Sequence, residues 1–143
     1  LHTNRAPAAI TRLIDMGVEK FLISSSLLAV LAQRLVRKLC DDCKCADDSL
    51  ASHKLFGLDL SKTIFQPVGC KSCNFTGYKG RVAIGELFII NDEIKEYLKS
   101  DVDDNTLMKL AIKNGMISLD KQLKMMLEAG DTSASEVIRI GIK

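Results

Sequence analysis

The sequence predicts an α/β chain, mostly helical, with a short antiparallel hairpin and an inserted metal-binding subdomain. Three observations carry this. Cys40, Cys43, Cys70 and Cys73 form two C-x-x-C pairs with 26 residues between them. The segments 34–39 and 81–89, one on each side of the cysteines, are rich in β-branched and aliphatic residues and read as strands. On both flanks apolar residues recur at i, i+3 and i+4, the period of an amphipathic helix.

A C-x-x-C turn puts two sulfurs on one side of a tight loop. Two such turns brought together make a tetrahedral S4 cage, which Zn²⁺ accepts at about 2.3 Å per bond. The gap between the pairs is near the zinc-ribbon range. Asp41, Asp42, Lys71 and Ser72 lie between the cysteines, so these are polar turns and not core strands. The expected ligands of one structural zinc are therefore Cys40, Cys43, Cys70 and Cys73. The alternative is a pair of disulfides or free core thiols. Five cysteines, an odd number, argue against a disulfide framework. Cys45 is left over and reads as a bystander, because C-x-C suits the tight turn less well. His53 reads as a solvated helix residue without a zinc role.

Composition limits the function classes. Hydrophobic residues make up 47% of the chain and tryptophan is absent, so the core must be aliphatic. Formal net charge is +2, which four thiolates and one Zn²⁺ would cancel. Neither a polyanion nor an anionic membrane is called for by that balance. The longest apolar stretch, 21–32, is interrupted by Ser24, Ser25 and Ser26 and is too short for a membrane span. The chain opens on Leu1-His2-Thr3-Asn4 and reads as a fragment of a longer protein.

Residues 5–16 read as a first helix, with Pro7 in the first turn and Gly17 as the stop. A second is expected over 20–31, burying Phe21, Leu27, Leu28 and Leu31, its serines bonding back to carbonyls one turn earlier. The strands 34–39 and 81–89 should form a hairpin whose loop is the whole module, 40–80. Inside it, 49–56 suggests a short helix and 64–68 a short strand. Helices follow at 91–99 (capped by Asn91), 106–114 and 118–129. A last one should start at the capping box Ser133 to Glu136 and carry Val137, Ile138 and Ile140. The methionines of this tail read as core filling.

In order along the chain, several segments resemble one family. They are Leu1-His2-Thr3-Asn4-Arg5-Ala6-Pro7, Ile10-Thr11-Arg12-Leu13-Ile14-Asp15-Met16-Gly17-Val18, Phe21-Leu22-Ile23-Ser24-Ser25-Ser26-Leu27-Leu28 and Leu31-Ala32-Gln33-Arg34-Leu35-Val36-Arg37. The two C-x-x-C pairs, Thr76-Gly77-Tyr78-x-Gly80-Arg81 and Ile84-x-Glu86-Leu87 continue the series. It is similar to the hexameric ATPases of type II secretion and type IV pilus assembly. The resemblance covers essentially the whole chain, most weakly at 46–66 and after 100.

That resemblance implies a fragment from the C-terminal part of a RecA-like P-loop ATPase domain. Residues 1–39 and 81–143 would belong to that domain and its helical tail, and 40–80 to the tetracysteine module. It implies a cytoplasmic motor, peripheral to the inner membrane through its partners. The motor would use ATP and Mg²⁺ as a homo-hexamer and would work on an inner-membrane secretion or pilus platform. The module favours assembly over retraction. The chain contains no GxxxxGK[ST], so the fragment alone is expected to be inactive and carries no assignable catalytic residue. His2 maps to the family's second His-box histidine, for which the resemblance implies a role in sensing nucleotide state; a polar residue capping a turn is the plainer reading. A different class remains open: a zinc-ribbon nucleic-acid module in which Phe75, Tyr78, Lys79 and Arg81 stack bases and touch phosphates. Asp41, Asp42, Asp47 and Asp48 oppose it, and no nucleic-acid partner is expected. A purely structural zinc staple is the third reading.

Overall fold

The computed structural model describes residues 5–141; His2 lies outside them. The elements in order are α1 (Ala8–Asp15), α2 (Lys20–Ser26), β1 (Ala29–Leu39), β2 (Cys45–Asp47), α3 (Leu50–Leu55), β3 (Ile64–Gln66), β4 (Tyr78–Ile89), α4 (Asp92–Tyr97), α5 (Asp104–Lys113), α6 (Leu119–Glu128) and α7 (Ala134–Ile140). β1 pairs with β4 in one two-stranded sheet, and β2 with β3 in another. The amide of Ile90 donates to Leu28 O at 2.9 Å, and that of Cys40 to Gly77 O at 3.0 Å. The first residues of one strand thus meet the last of the other, and β1–β4 is the expected antiparallel hairpin. Its arms are longer than the sequence suggested, 11 and 12 residues.

The chain forms two compact units. One comprises residues through Gln33 with Gly85–Leu119, the other Arg34–Ile84 with the residues from Asp120 onward. In the first, Ile10, Phe88, Ile94, Leu98, Leu107 and Met116 form the apolar core. Asn91 caps α4 by accepting from Ile94 N, and Asp103 caps α5 by accepting from Thr106 N. The buried Glu86 accepts from the amides of Ala6 and Leu119, each at 2.9 Å, and pairs with Arg5 at 3.3 Å. It satisfies donors at the entrances of α1 and α6, where helix geometry supplies no partner.

The second helix is shorter than expected. Backbone at Leu27 turns extended, and the apolar run from Leu27 to Ala32 joins β1. Such a run fits helix or strand by pattern alone, and pairing with β4 decides it. Leu28 and Leu31 are consequently exposed, not buried; within α2 Phe21 is exposed too, and Ile23 is the inward residue. Ser24 and Ser25 do bond back, to Phe21 O and Leu22 O.

In the second unit β2 and β3 pair antiparallel, with Ala46 opposite Phe65. The sequence reading missed β2, which is only three residues long. Leu58 and Ile64 pack with Leu127 of α6. Lys44 donates to Gly130 O at 3.0 Å and Lys124 to Gly57 O at 2.7 Å. The far end of β1 is held by Leu39 N to Asp131 O and by Thr132 Oγ1 to Arg37 O. Ser133 caps α7 by accepting from Glu136 N, but the expected box is half made. The Glu136 carboxylate is turned inward to Arg37 and Arg139 instead. Ile138 of α7 is exposed.

Candidate metal centre

The ends of the hairpin arms deliver the two C-x-x-C turns to one place. After β1 the chain turns at Cys40, whose carbonyl accepts from Cys43 N and Lys44 N. Before β4 the 3₁₀ turn Lys71–Cys73 repeats the device, with Cys70 O accepting from Cys73 N and Phe75 N. Asn74 and Phe75 sit in the left-handed region, φ 52° and 61°, which brings the chain back sharply. The four Sγ atoms lie within 4.8 Å of one another. Cys40 to Cys70 is 3.9 Å, while Cys43 to Cys73 and Cys70 to Cys73 are each 3.8 Å.

These separations discriminate between the chemistries. A disulfide needs about 2.05 Å between sulfurs, so none of these contacts is one. A tetrahedron with metal–sulfur bonds of about 2.3 Å has edges of about 3.8 Å. The four thiols have the size and the donor set to hold a metal ion. Cys45, exposed on β2, stays outside the cluster.

Backbone amides aim at the sulfurs. Gly69 N lies 3.3 Å from Cys43 Sγ, Cys70 N 3.2 Å and Gly77 N 3.3 Å from Cys73 Sγ. Donors to sulfur favour the thiolate. The amide of Cys70, then that of Gly77, outweighs burial and draws the Cys73 thiol down to about 6. Burial pushes Cys43 up to about 12 and raises Cys40 above the ordinary thiol range. A divalent cation among the sulfurs would favour the thiolate at each.

Two glycines make this geometry possible. Gly69 has φ 115°, and a Cβ there would stand 2.7 Å from Phe75 O; Gly77 has φ 76°, and its Cβ would press on Pro67. Both positions need a residue without a side chain.

The surroundings settle where other candidate residues stand. The Tyr78 ring lies under the Arg37 guanidinium at 4.1 Å, and its hydroxyl is 2.6 Å from Ser133 Oγ. Arg37 thus covers one face of the Tyr78 ring considered above for base stacking. Lys79 donates to Ser72 Oγ at 2.8 Å. Phe75 and Arg81 are exposed. Asp41 pairs with Lys44 at 2.8 Å and Lys38 at 3.6 Å. His53 is not solvated: it is 6% exposed and both ring nitrogens meet backbone carbonyls. The buried carboxylates of Glu86 and Glu136 were missed as structural centres. For Glu86 a signal existed: it shares the period-two face of Ile84 and Phe88, which the hairpin buries. For Glu136 the capping-box pattern pointed the other way.

A helical α/β chain whose long hairpin closes on four thiols carries a candidate metal-binding module, and the sequence comparisons give its family. The family of type II/IV secretion system proteins matches over residues 1–139, and the chain belongs to it. Type II secretion system protein E of Aeromonas hydrophila is 45% identical, over 98% of this chain and 28% of its own length. Type II secretion system ATPase E of Vibrio cholerae is 42% identical over 98% and 28%. Type IV pilus assembly ATPase TfpB of Acinetobacter baylyi is 39% identical over 98% and 25%. The chain therefore spans about a quarter of the length of these curated relatives. Among the described residues, no helix is long and apolar enough to cross a membrane.

Proposed function

We propose that this chain is the C-terminal portion of a cytoplasmic hexameric ATPase that powers type II secretion or type IV pilus assembly. Its four cysteines hold a structural Zn²⁺. The observation that carries the reading is the four-thiol cage in a chain whose family relatives bear the names of secretion and pilus ATPases. ATP and Mg²⁺ would be bound upstream, since these 143 residues contain no phosphate-cradling GxxxxGK[ST].

The metal supplies folding energy that the module's side chains lack. Between the cysteine turns only Leu58 and Ile64, among the described residues, are buried large apolar residues; Leu50, Leu55, Leu60 and Val68 are exposed, as is Phe75 just after the second turn. A segment with so small a core depends on its metal to fold. The exposed apolar residues support a further step: the module is a docking surface for the inner-membrane platform of the secretion or pilus machine.

A second reading has its own support. Lys44 to Gly130, Lys124 to Gly57 and the Leu58–Ile64–Leu127 cluster brace α6 from the module. Deleting residues 44–69 in the full-length ATPase, with a short linker from Cys43 to Cys70, separates the two. Normal secretion or pilus assembly in cells would refute docking. Lost assembly with intact ATP hydrolysis and hexamer formation would support it. Loss of ATPase assembly and turnover would support bracing.

A further inference from the structure

His53 sits in α3, on the metal module but away from the four thiols, and its ring is buried. Nδ1 lies 3.1 Å from Ser49 O, and Nε2 lies 2.8 Å from Lys62 O. A carbonyl oxygen carries no proton, so each ring nitrogen must donate. Neutral imidazole has one N–H and would set its remaining lone pair against the other carbonyl. Only the imidazolium makes both bonds.

We propose that His53 is a protonation latch: its charged ring ties the 57–63 loop to α3, and loss of its proton releases that loop while the four-cysteine cage stays closed. The loop carries Leu58, whose amide donates to His53 O at 2.9 Å and whose side chain packs with Ile64 and Leu127. Release therefore also frees the apolar contact with α6. The charges facing the ring agree with the charged form. Asp47 and Asp48, at the end of β2, both favour it. Asp59, within the loop, is engaged by Ser61 N, and Lys124 of α6 is directed to Gly57 O. The carbonyl of Lys62, then that of Ser49, outweighs burial and raises the ring above the ordinary histidine value.

The sign distinguishes the latch from the metal. A raised folded value means full stabilisation below the unfolded value near 6.5, lost as pH rises through the folded value. A thiolate cage fails in the opposite direction, losing its metal as acid protonates the sulfurs. The proposal rests on the ring geometry and not on which metal the cage holds.

The test uses the whole 143-residue chain loaded with Zn²⁺ and ¹⁵N-labelled at histidine. Ring resonances are assigned by their disappearance in His53→Gln, which leaves only those of His2. At pH 6 both ring nitrogens of His53 should be protonated. Above the folded pKa, exchange protection at the Leu58 and Lys62 amides should fall roughly tenfold per pH unit after correction for intrinsic exchange. Zinc content should not change over that range. His53→Gln keeps a donor for Lys62 O but cannot titrate, so its protection should lose this slope. A single-proton tautomer of His53 at pH 6 overturns the proposal. So does an unchanged slope in His53→Gln, or loop release that occurs only with zinc loss. If His53→Gln fails to fold, His2→Gln, which leaves the His53 ring as the only labelled one, decides the first point.

Discussion

Glu136, with no exposed surface, accepts the backbone amide of Arg37 on one carboxylate oxygen at 3.0 Å and its Nε on the other at 2.7 Å. Arg139, one turn along α7, donates to both oxygens at 2.6 Å. Burial opposes the ionised form, but the Arg139 and Arg37 bonds outweigh it and hold the carboxyl at about 2. The strand end that leads to Cys40 is thereby pinned to the last helix.

A depressed carboxyl contributes stability above its unfolded value near 4.5 and loses it as pH falls towards about 2. Glu136→Ala should cost about 1.5–3 kcal/mol at pH 7, the range for hydrogen bonds to charged groups. In urea unfolding at pH 7 and pH 3, the gap between variant and parent should shrink at the lower pH. An unchanged gap would show that the carboxylate's charge does not matter.

Glu86 performs the same role in the other unit. Removing it strands the amides of Ala6 and Leu119 and breaks the ion pair with Arg5. Glu86→Ala should destabilise by about 3–5 kcal/mol, the cost of stripping one partner from a buried pair. Exchange at the starts of α1 and α6 should rise first. A loss under 1 kcal/mol, on the order of a surface substitution, would contradict this account.

Gly77→Ala should cost about 1–3 kcal/mol, because alanine is strained at φ 76° and its methyl meets Pro67. The Gly77 amide also points at Cys73 Sγ, so zinc affinity should fall with stability. A competition titration against a chelator measures the affinity. A variant with parental affinity and stability would mean the turn tolerates a side chain.

The hairpin, the helix caps and the cysteine turns were legible because local chemistry fixes each of them. Asn91 caps α4 and the strand ending at Ile89 has period-two burial, both readable without tertiary context. The Leu27–Ala32 run was misread because it carries no period of its own, and its state is set by β4, some sixty residues away. His53 was read as solvated because its partners, Ser49 O and Lys62 O, are backbone atoms that leave no side-chain signature. The cysteine set was visible in spacing, whereas Glu136 was hidden behind a capping pattern that its side chain only half follows.

The isolated chain should neither hydrolyse ATP nor bind it appreciably. Transfer of a γ-phosphoryl needs Mg²⁺ and preorganised donors, and the sequence has no phosphate loop to position them. Calorimetry with MgATP and a phosphate-release assay on contaminant-free protein check this. Robust turnover would overturn it.

The sequence alone suggests that losing the metal would unfold 40–80 and spare much of the helical tail. The structure changes that expectation, because α6 from Asp120 onward and α7 belong to the same compact unit as the module. Metal content and metal environment, measured together, test the central claim most directly. Elemental analysis should give about one zinc per chain, and X-ray absorption should show four sulfurs at about 2.3 Å. In the Cys70→Ser/Cys73→Ser double variant the metal should be lost, and protection should fall across 40–80, α6 and α7 while α1, α4 and α5 keep theirs. Full zinc retention in that variant, or a parent chain that folds with no metal and its four thiols free, would contradict the account.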